Sequence, residues 1–319
     1  MVTGGTGFIG SHIVDELVRR GNQVIVYDNL STGFREHLTA ALSGNKVKLV
    51  EGNILDNNKL IMAMKEVSTV FHLAANADVR SGRQDTLVDI RENLLGTHSV
   101  LEAMRLTGAS EIIFTSSATV YGEPSHFPTR ETYAPLQTSL YGASKFGAEA
   151  IIQSYSEYFD IRCYIFRFVS WLGERYSHGV IYDFINKLRE NPTELEILGD
   201  GEQKKSYLHV DDGIAGIFLA LDQMKETKNV INLGHVQYMD VKTLASVVAD
   251  EMKLQQVTYR FTGGPRGWVG DSPFVHLDIS KMQHIGFHPK ISIEHAVRRT
   301  ARYLLDNLWL LDARNRWSV

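Results

Sequence analysis

The chain has 319 residues, 44% of them hydrophobic, with a formal net charge of −4 and one cysteine. That length supports a substantial core, either as one large domain or as a domain with an appended lobe. A mildly acidic balance with no long basic run argues against nucleic acid as a partner, and the single Cys163 excludes an internal disulfide and fits a reducing compartment. No apolar stretch reaches the roughly 18 residues that span a bilayer. No charged-then-apolar leader precedes the first motif, so the expected location is cytoplasmic and away from the membrane.

Met1-Val2-Thr3 leads directly into Gly4-Gly5-Thr6-Gly7-Phe8-Ile9-Gly10. Buried parallel strands usually run about 5 to 6 residues. Three residues therefore predict an abbreviated first strand with weakened pairing at the sheet centre, or an upstream start. A helix is expected over 8–20, followed by short apolar runs at 24–27, 47–50, 70–73 and 112–115. Such runs suit strands buried on both faces of a parallel sheet. Helical stretches at 57–65, 89–107 and 139–159 alternate with them. The alternation predicts an α/β fold, a doubly wound parallel Rossmann sheet.

From about Trp171 the pattern changes to strand candidates at 194–198 and 257–261 mixed with helices at 211–223, 241–253 and 293–307. Gly263-Gly264-Pro265-Arg266-Gly267 interrupts regular structure. The expected division is 1–170 as the dinucleotide-binding domain and 171–319 as a smaller mixed α/β lobe closing over the carboxyl edge of the sheet, with some elements returning to the sheet. Residues 314–319 carry no packing signal and read as frayed. Trp309 and Trp317 suit a helix cap or a partner chain, and Cys163 suits a small core position.

Gly4, Gly7 and Gly10 follow a strand stub and open a helix, where glycine permits a tight turn and close approach to a pyrophosphate. Phe8 and Ile9 complete the turn. Asp28 ends the second strand eighteen residues after Gly10, with Asn29 next to it. A carboxylate there accepts hydrogen bonds from ribose hydroxyls and repels a 2′-phosphate, which favours NAD over NADP. Asn53 and Ile54 after the third strand reach towards adenine, or form a simple turn. Leu73, Ala74 and Ala75 after the fourth strand leave small residues near the pyrophosphate. Tyr141 and Lys145 share a helix face at i, i+4, so the Lys145 ammonium is expected beneath the Tyr141 phenol, lowering its pKa from about 10. A phenol so tuned removes a proton from a hydroxyl. The twelve histidines show no metal-binding spacing, and no metal is expected.

The glycine turn, Ser117 in Ser116-Ser117-Ala118-Thr119-Val120-Tyr121-Gly122, and the Tyr141/Lys145 pair resemble the extended short-chain dehydrogenase/reductase family, and within it the UDP-galactose (UDP-glucose) 4-epimerases. The likeness runs from Met1 to about Arg302. It implies Tyr141 as acid/base at the sugar 4-hydroxyl, Lys145 at the nicotinamide ribose, Ser117 on the reacting oxygen and Asn93 near the cofactor. It implies a UDP-sugar substrate held by Ser117, Ala118, Thr119 and Tyr141, and a role in galactose metabolism. In the second half it implies Ser170 where an asparagine is common, His178 and Val180 on the uridine side, Lys205 where an arginine usually meets the diphosphate, and Arg266 with Asp271 as a diphosphate and ribose clamp. Val275 falls at a position that gates the sugar pocket, where valine leaves room for an N-acetyl group. Ala77 stands where some epimerases carry a lysine.

Dehydratases of this family carry an Asp-Glu pair where this chain has Ala118-Thr119, and related decarboxylases tend to have a glutamate nearby. The alternatives are another nucleotide-sugar enzyme on the same scaffold (uronate epimerase, dehydratase or reductase) or a non-catalytic NAD-binding protein. Helices 89–107 and 139–159 resemble those that pair across a two-fold, implying a homodimer with a four-helix interface.

Overall fold

A computed structural model describes residues 1–314. Of the expected frayed end at 314–319, Arg314 ends the helix Leu308–Arg314, and the rest, Trp317 included, lies outside the described residues. In chain order the strands are β1 (Val2–Thr3), β2 (Val24–Asp28), β3 (Val47–Glu51), β4 (Thr69–His72), β5 (Glu111–Ser117), β6 (Arg162–Phe168), β7 (Ser170–Leu172), β8 (Glu194–Ile197), β9 (Lys204–Lys205), β10 (Tyr207–His209), β11 (Lys228–Leu233), β12 (Met239–Asp240), β13 (Thr258–Phe261) and β14 (Phe274–Val275). A seven-stranded sheet runs β11-β6-β5-β4-β1-β2-β3, and parallel pairing covers β6 through β3.

The chain divides into two compact units. One comprises 1–122, 131–168 and 216–232, and the other 123–130, 169–215 and 233–319. The first holds the large sheet. Its helices Asn57–Met64, Gly96–Thr107 and Leu140–Phe159 bury Leu60, Leu101, Met104 and Ile152 against Ile112, Phe114 and Ile165. The second contains small sheets, β7 with β10, β8 with β13, and β12-β9-β14. Helices Val180–Glu190, Val241–Glu251 and Ile293–Asp306 pack together in this unit.

β1 is as short as the sequence implies, yet it sits between β2 and β4. Val2 pairs with Val26 and Phe71, and Thr3 with Tyr27 and His72. Flanking amides extend the ladder, with Gly4 N donating to Tyr27 O at 3.0 Å and Leu73 N to Thr3 O at 3.1 Å.

β6 and β11 were not expected from sequence. β6 holds an apolar run, Cys163–Phe166, as long as those read as strands, whereas in β11 the buried Asn229 and Asn232 break the run. The single helix expected over 89–107 is instead a π-helix, Ile90–Leu95, followed by the α-helix Gly96–Thr107. A Cβ on Gly96 would lie 2.5 Å from Ile54 Cδ1, so glycine permits this close packing.

Candidate active site

The glycine turn is built around backbone contacts that exclude side chains. Gly4 has φ +68, and a Cβ there would meet Ala74 N at 2.7 Å. A Cβ on Gly10 would lie 2.2 Å from Gly4 O. Gly7 caps the helix Phe8–Arg19 with extended backbone, no side-chain cap bond and no acidic residue in the first turn. The helix N-terminus therefore presents backbone N–H groups and positive partial charge without an internal carboxylate to neutralise them. Phe8 is buried and Ile9 half-buried at this entry.

Asp28 is buried rather than solvated, 8% exposed. Its Oδ2 accepts from Thr6 N at 3.0 Å and its Oδ1 from Leu30 N at 2.9 Å, which fixes the carboxylate beside the turn. Exposed Asn29 accepts from Ser31 N at 3.0 Å. Asn53 is also exposed, and its side chain accepts from Leu55 N at 2.9 Å, so it shapes its own turn, while Ile54 is buried. Leu73, Ala74 and Ala75 are half-buried at the end of β4.

Asn93 lies in the π-helix and ties several segments together. Its Oδ1 accepts from Asn76 N at 2.8 Å, and its Nδ2 donates to Ser144 Oγ at 2.9 Å. Ser144 in turn donates to Tyr141 O at 2.8 Å. Buried Asp89 accepts from Asn76 Nδ2 at 2.8 Å and Asn93 Nδ2 at 3.3 Å. Burial raises its pKa.

The helix carrying Tyr141 and Lys145 begins at Ser139, whose hydroxyl accepts from Gly142 N at 3.0 Å. Ser117 ends β5. Its Oγ accepts from Thr119 N at 3.2 Å and from Thr119 Oγ1 at 2.9 Å. A hydroxyl has two lone pairs and one proton. With both lone pairs engaged, Ser117 has its proton left to donate, and its hydrogen bond to Tyr141 lowers the phenol's pKa. Ala118 and Thr119 begin the 3-10 turn that follows.

The expected tuning of Tyr141 by Lys145 is not found. Enclosure of the hydroxyl pushes the phenol up to about 12, Asp89 adds to the rise, and the Ser117 bond opposes it. Lys145 is 3% exposed; its Nζ donates to Thr115 O at 2.9 Å and lies 4.7 Å from the Phe114 ring centre. Burial brings its pKa down to about 8, against the raising effect of Glu149 and then Asp89. Desolvation is the leading influence on both groups, raising the phenol and lowering the amine.

In the second unit, Lys205 Nζ donates to Asp271 Oδ1 at 2.5 Å and lies 4.7 Å from the Trp268 ring centre. Asp271 Oδ2 also accepts from Gly267 N at 3.0 Å. Arg266 pairs instead with Glu123. Arg266 and Asp271, expected together as a clamp, thus sit in separate ion pairs, Asp271 with Lys205 and Arg266 with Glu123. Val275 on β14 lies opposite Lys205 on β9 in parallel register. His178 stacks on Tyr176 with ring centres 6.1 Å apart, Val180 starts a helix, and exposed Ser170 starts β7 opposite Tyr207.

Glu174, His209 and Asp211 bring potential ligand atoms within 4.8 Å. Arg299, however, binds both carboxylates, at 2.7 and 3.1 Å. His209 Nδ1 accepts from Asp211 N at 3.1 Å, so the neutral ring carries its proton on Nε2. The cluster is an ion-pair network.

Sequence reasoning missed Asp89, Asn76, Glu149 and Arg167. Glu149 had a readable signal, since it continues the 141, 145 spacing by four more residues.

A glycine-built helix entry, an acid anchored at the end of β2 and a Ser/Tyr/Lys set on a parallel sheet define a dinucleotide-dependent enzyme. The family model described as the NAD dependent epimerase/dehydratase family matches residues 1–234, and the chain belongs to that family. A crystal structure of a UDP-galactose 4-epimerase is 37% identical with a TM-score of 0.86, over 97% of this chain and 99% of that one. A UDP-glucose 4-epimerase from Thermotoga maritima, solved with UDP-glucose, is 30% identical with a TM-score of 0.86, over 96% and 98%. UDP-glucuronic acid decarboxylase 1 of Arabidopsis thaliana is 30% identical over 310 residues, 94% of this chain and 68% of that protein.

The cofactor is NAD, and the residues fit it. The turn admits no side chain at Gly4 or Gly10, and Asp28 is anchored at the end of β2. Among the described residues no helix is long and apolar enough to cross a membrane.

Proposed function

We propose that the protein interconverts UDP-galactose and UDP-glucose by 4-epimerisation through a transient 4-keto sugar. The observation that carries this reading is the Ser117–Tyr141 hydroxyl pair, with Ser117 held as a proton donor by Thr119. Gly4, Gly7, Phe8, Ile9 and Gly10 would hold the pyrophosphate, Asp28 and Asn29 the adenosine ribose, Asn53 and Ile54 the adenine side, and Leu73, Ala74, Ala75 and Asn93 the nicotinamide side. Bound NAD supplies hydride acceptance and return at C4. Tyr141 takes the 4-hydroxyl proton and gives it back, while Ser117 hydrogen-bonds the reacting oxygen.

A phenol near 12 is a poor base at neutral pH, so the working state needs a nearby positive charge. Lys145 and the cationic oxidised cofactor are the two sources, and the Tyr141 pKa is expected to fall when NAD+ binds. Ala118 supplies no acid or base, and the Thr119 hydroxyl is committed to Ser117, which disfavours elimination of water.

Ser170, His178, Val180, Lys205, Arg266, Asp271 and Val275 form the nucleotide-sugar side of this reading, with valine at 275 admitting UDP-N-acetylhexosamines. The reading also includes a cytoplasmic location and a homodimer. Leu95, Leu106, Leu140, Tyr158 and Phe159 are exposed on the two helical segments of the expected four-helix interface. The 30% identical decarboxylase motivates a second reading, loss of CO2 from UDP-glucuronate.

Purified protein is incubated with UDP-galactose or UDP-glucuronate, with and without added NAD+, and the nucleotide sugars are resolved by chromatography. UDP-glucose formed without net NADH, and lost in Tyr141→Phe, is the expected result. A pentose nucleotide formed from UDP-glucuronate would replace the first reading with the second.

A further inference from the structure

The helix Leu140–Phe159 carries a third polar side chain in line with Tyr141 and Lys145. Residues 141, 145 and 149 recur every four positions and stack along one face. Glu149 is completely buried. It pairs with Arg167 on β6, Nη2 to Oε2 at 2.7 Å and Nε to Oε1 at 3.1 Å. Its Oε1 also accepts the hydroxyl of Ser116, the residue before Ser117. Arg167 Nη1 donates to Tyr121 OH at 2.9 Å and Glu131 O at 3.1 Å, and Tyr121 donates to Asn232 Oδ1 at 2.6 Å.

A buried ion pair is weak evidence for a stabilising role, because desolvation offsets its attraction. The placement of Glu149 points to another use. It joins the helix that carries Lys145 to the strand end that carries Ser117. The charged and titratable groups acting on or alongside Lys145 are Tyr141 and Glu149 on its own helix, Asp89 before the π-helix, and His72 on β4. His72 is held neutral by burial, so Glu149 and Asp89 are the two carboxylates that favour the ammonium.

We propose that Glu149 is a positioning residue for the reaction, holding Lys145 as an ammonium and pinning the Ser116–Ser117 strand end to the helix of Tyr141. The catalytic consequence rests on the function proposed above, whereas the charge effect on Lys145 does not. Burial already brings Lys145 down to about 8, and Glu149 is the largest influence opposing it. With Glu149 neutral, burial is less opposed, and the amine loses its proton nearer physiological pH.

The test uses full-length protein labelled with 13C at the lysine ε-carbons, with the Lys145 signal assigned by its absence in Lys145→Arg. Titrations compare the parent with Glu149→Gln, Ser116→Ala and the double variant Glu149→Gln/Arg167→Gln. Glutamine removes the charge while keeping an acceptor for Ser116. The double variant avoids an unpaired buried guanidinium, which protects the test if the single variant fails to fold.

The expected result is a Lys145 midpoint lower by on the order of one pH unit in Glu149→Gln. The double variant should shift in the same direction by less, and Ser116→Ala not at all. In the epimerase assay the alkaline limb of kcat should move with the Lys145 midpoint. Ser116→Ala should lower kcat several-fold at unchanged KM. A folded double variant with the parent's Lys145 midpoint would overturn the proposal, and a lowered melting temperature alone would mark Glu149 as merely structural. If the midpoint moves but the parent leaves UDP-galactose unconverted, the proposed reaction fails while the Lys145–Glu149 coupling stands.

Discussion

His72 should make the protein acid-sensitive through one identifiable proton. The ring is 1% exposed, with Nδ1 2.8 Å from Thr3 Oγ1 and Nε2 3.0 Å from Thr97 Oγ1. Thr97 donates its own proton to Asn93 O at 2.6 Å, so its oxygen accepts from His72 Nε2–H. Nδ1 must then accept from Thr3, and a second ring proton would break that bond. Burial, with a smaller contribution from Lys145, lowers the pKa to about 3. The unfolded chain titrates near 6.5.

Between those values the unfolded state holds the extra proton and the folded state does not, so stability falls as pH drops through that window. The slope is roughly 1.4 kcal/mol per pH unit, and at pH 4.5 this group alone costs about 3 kcal/mol relative to its neutral limit. Urea unfolding at several values from pH 4.5 to 7.5 would compare the parent with His72→Gln. The variant is less stable throughout but should have a shallower acid slope, by about one proton. The other histidines whose pKa burial lowers, the buried His209 and His235 and the half-buried His276, contribute to both proteins and cancel in the comparison. Parallel curves would refute the reasoning.

Gly10→Ala should cost at least about 1 to 3 kcal/mol, because its Cβ meets the Gly4 carbonyl at 2.2 Å and backbone must move. Differential scanning calorimetry with an NAD titration would check this, and Gly7→Ala, with its nearest contact at 3.2 Å, should lower the melting temperature less. Val275→Tyr should reduce turnover of UDP-N-acetylhexosamines relative to UDP-hexoses, read as a ratio of kcat/KM, and an unchanged ratio would remove the gate idea. Tyr158→Glu places a charge at an exposed aromatic of the expected dimer face and should yield monomers in light scattering at micromolar concentration.

Features set by local spacing were readable in the chain. The glycines needed only a strand stub and a helix start around them, and Tyr141 with Lys145 needed only helical periodicity. Long-range features were not readable. β11 joins the sheet from sixty residues beyond the end of its neighbour β6, and the buried Asn229 and Asn232 interrupt its apolar pattern. The direction of the Tyr141 shift was misread for a related reason. Residue spacing gives the neighbouring cation, but the depth of the hydroxyl and the nearby Asp89 emerge only from the assembled fold.

The π-helix at Ile90–Leu95 amounts to an insertion absorbed without a loop. An α turn holds 3.6 residues, and a π turn accommodates about one more. Removing a single residue such as Leu94 would let the wide turn close to α geometry while the helical segments on either side keep their register. Asn93 sits in that turn, so its ties to Asn76 and Ser144 are what the deletion would displace. The extra residue is thus part of how the active site is built, and losing it should cost activity before it costs the helix.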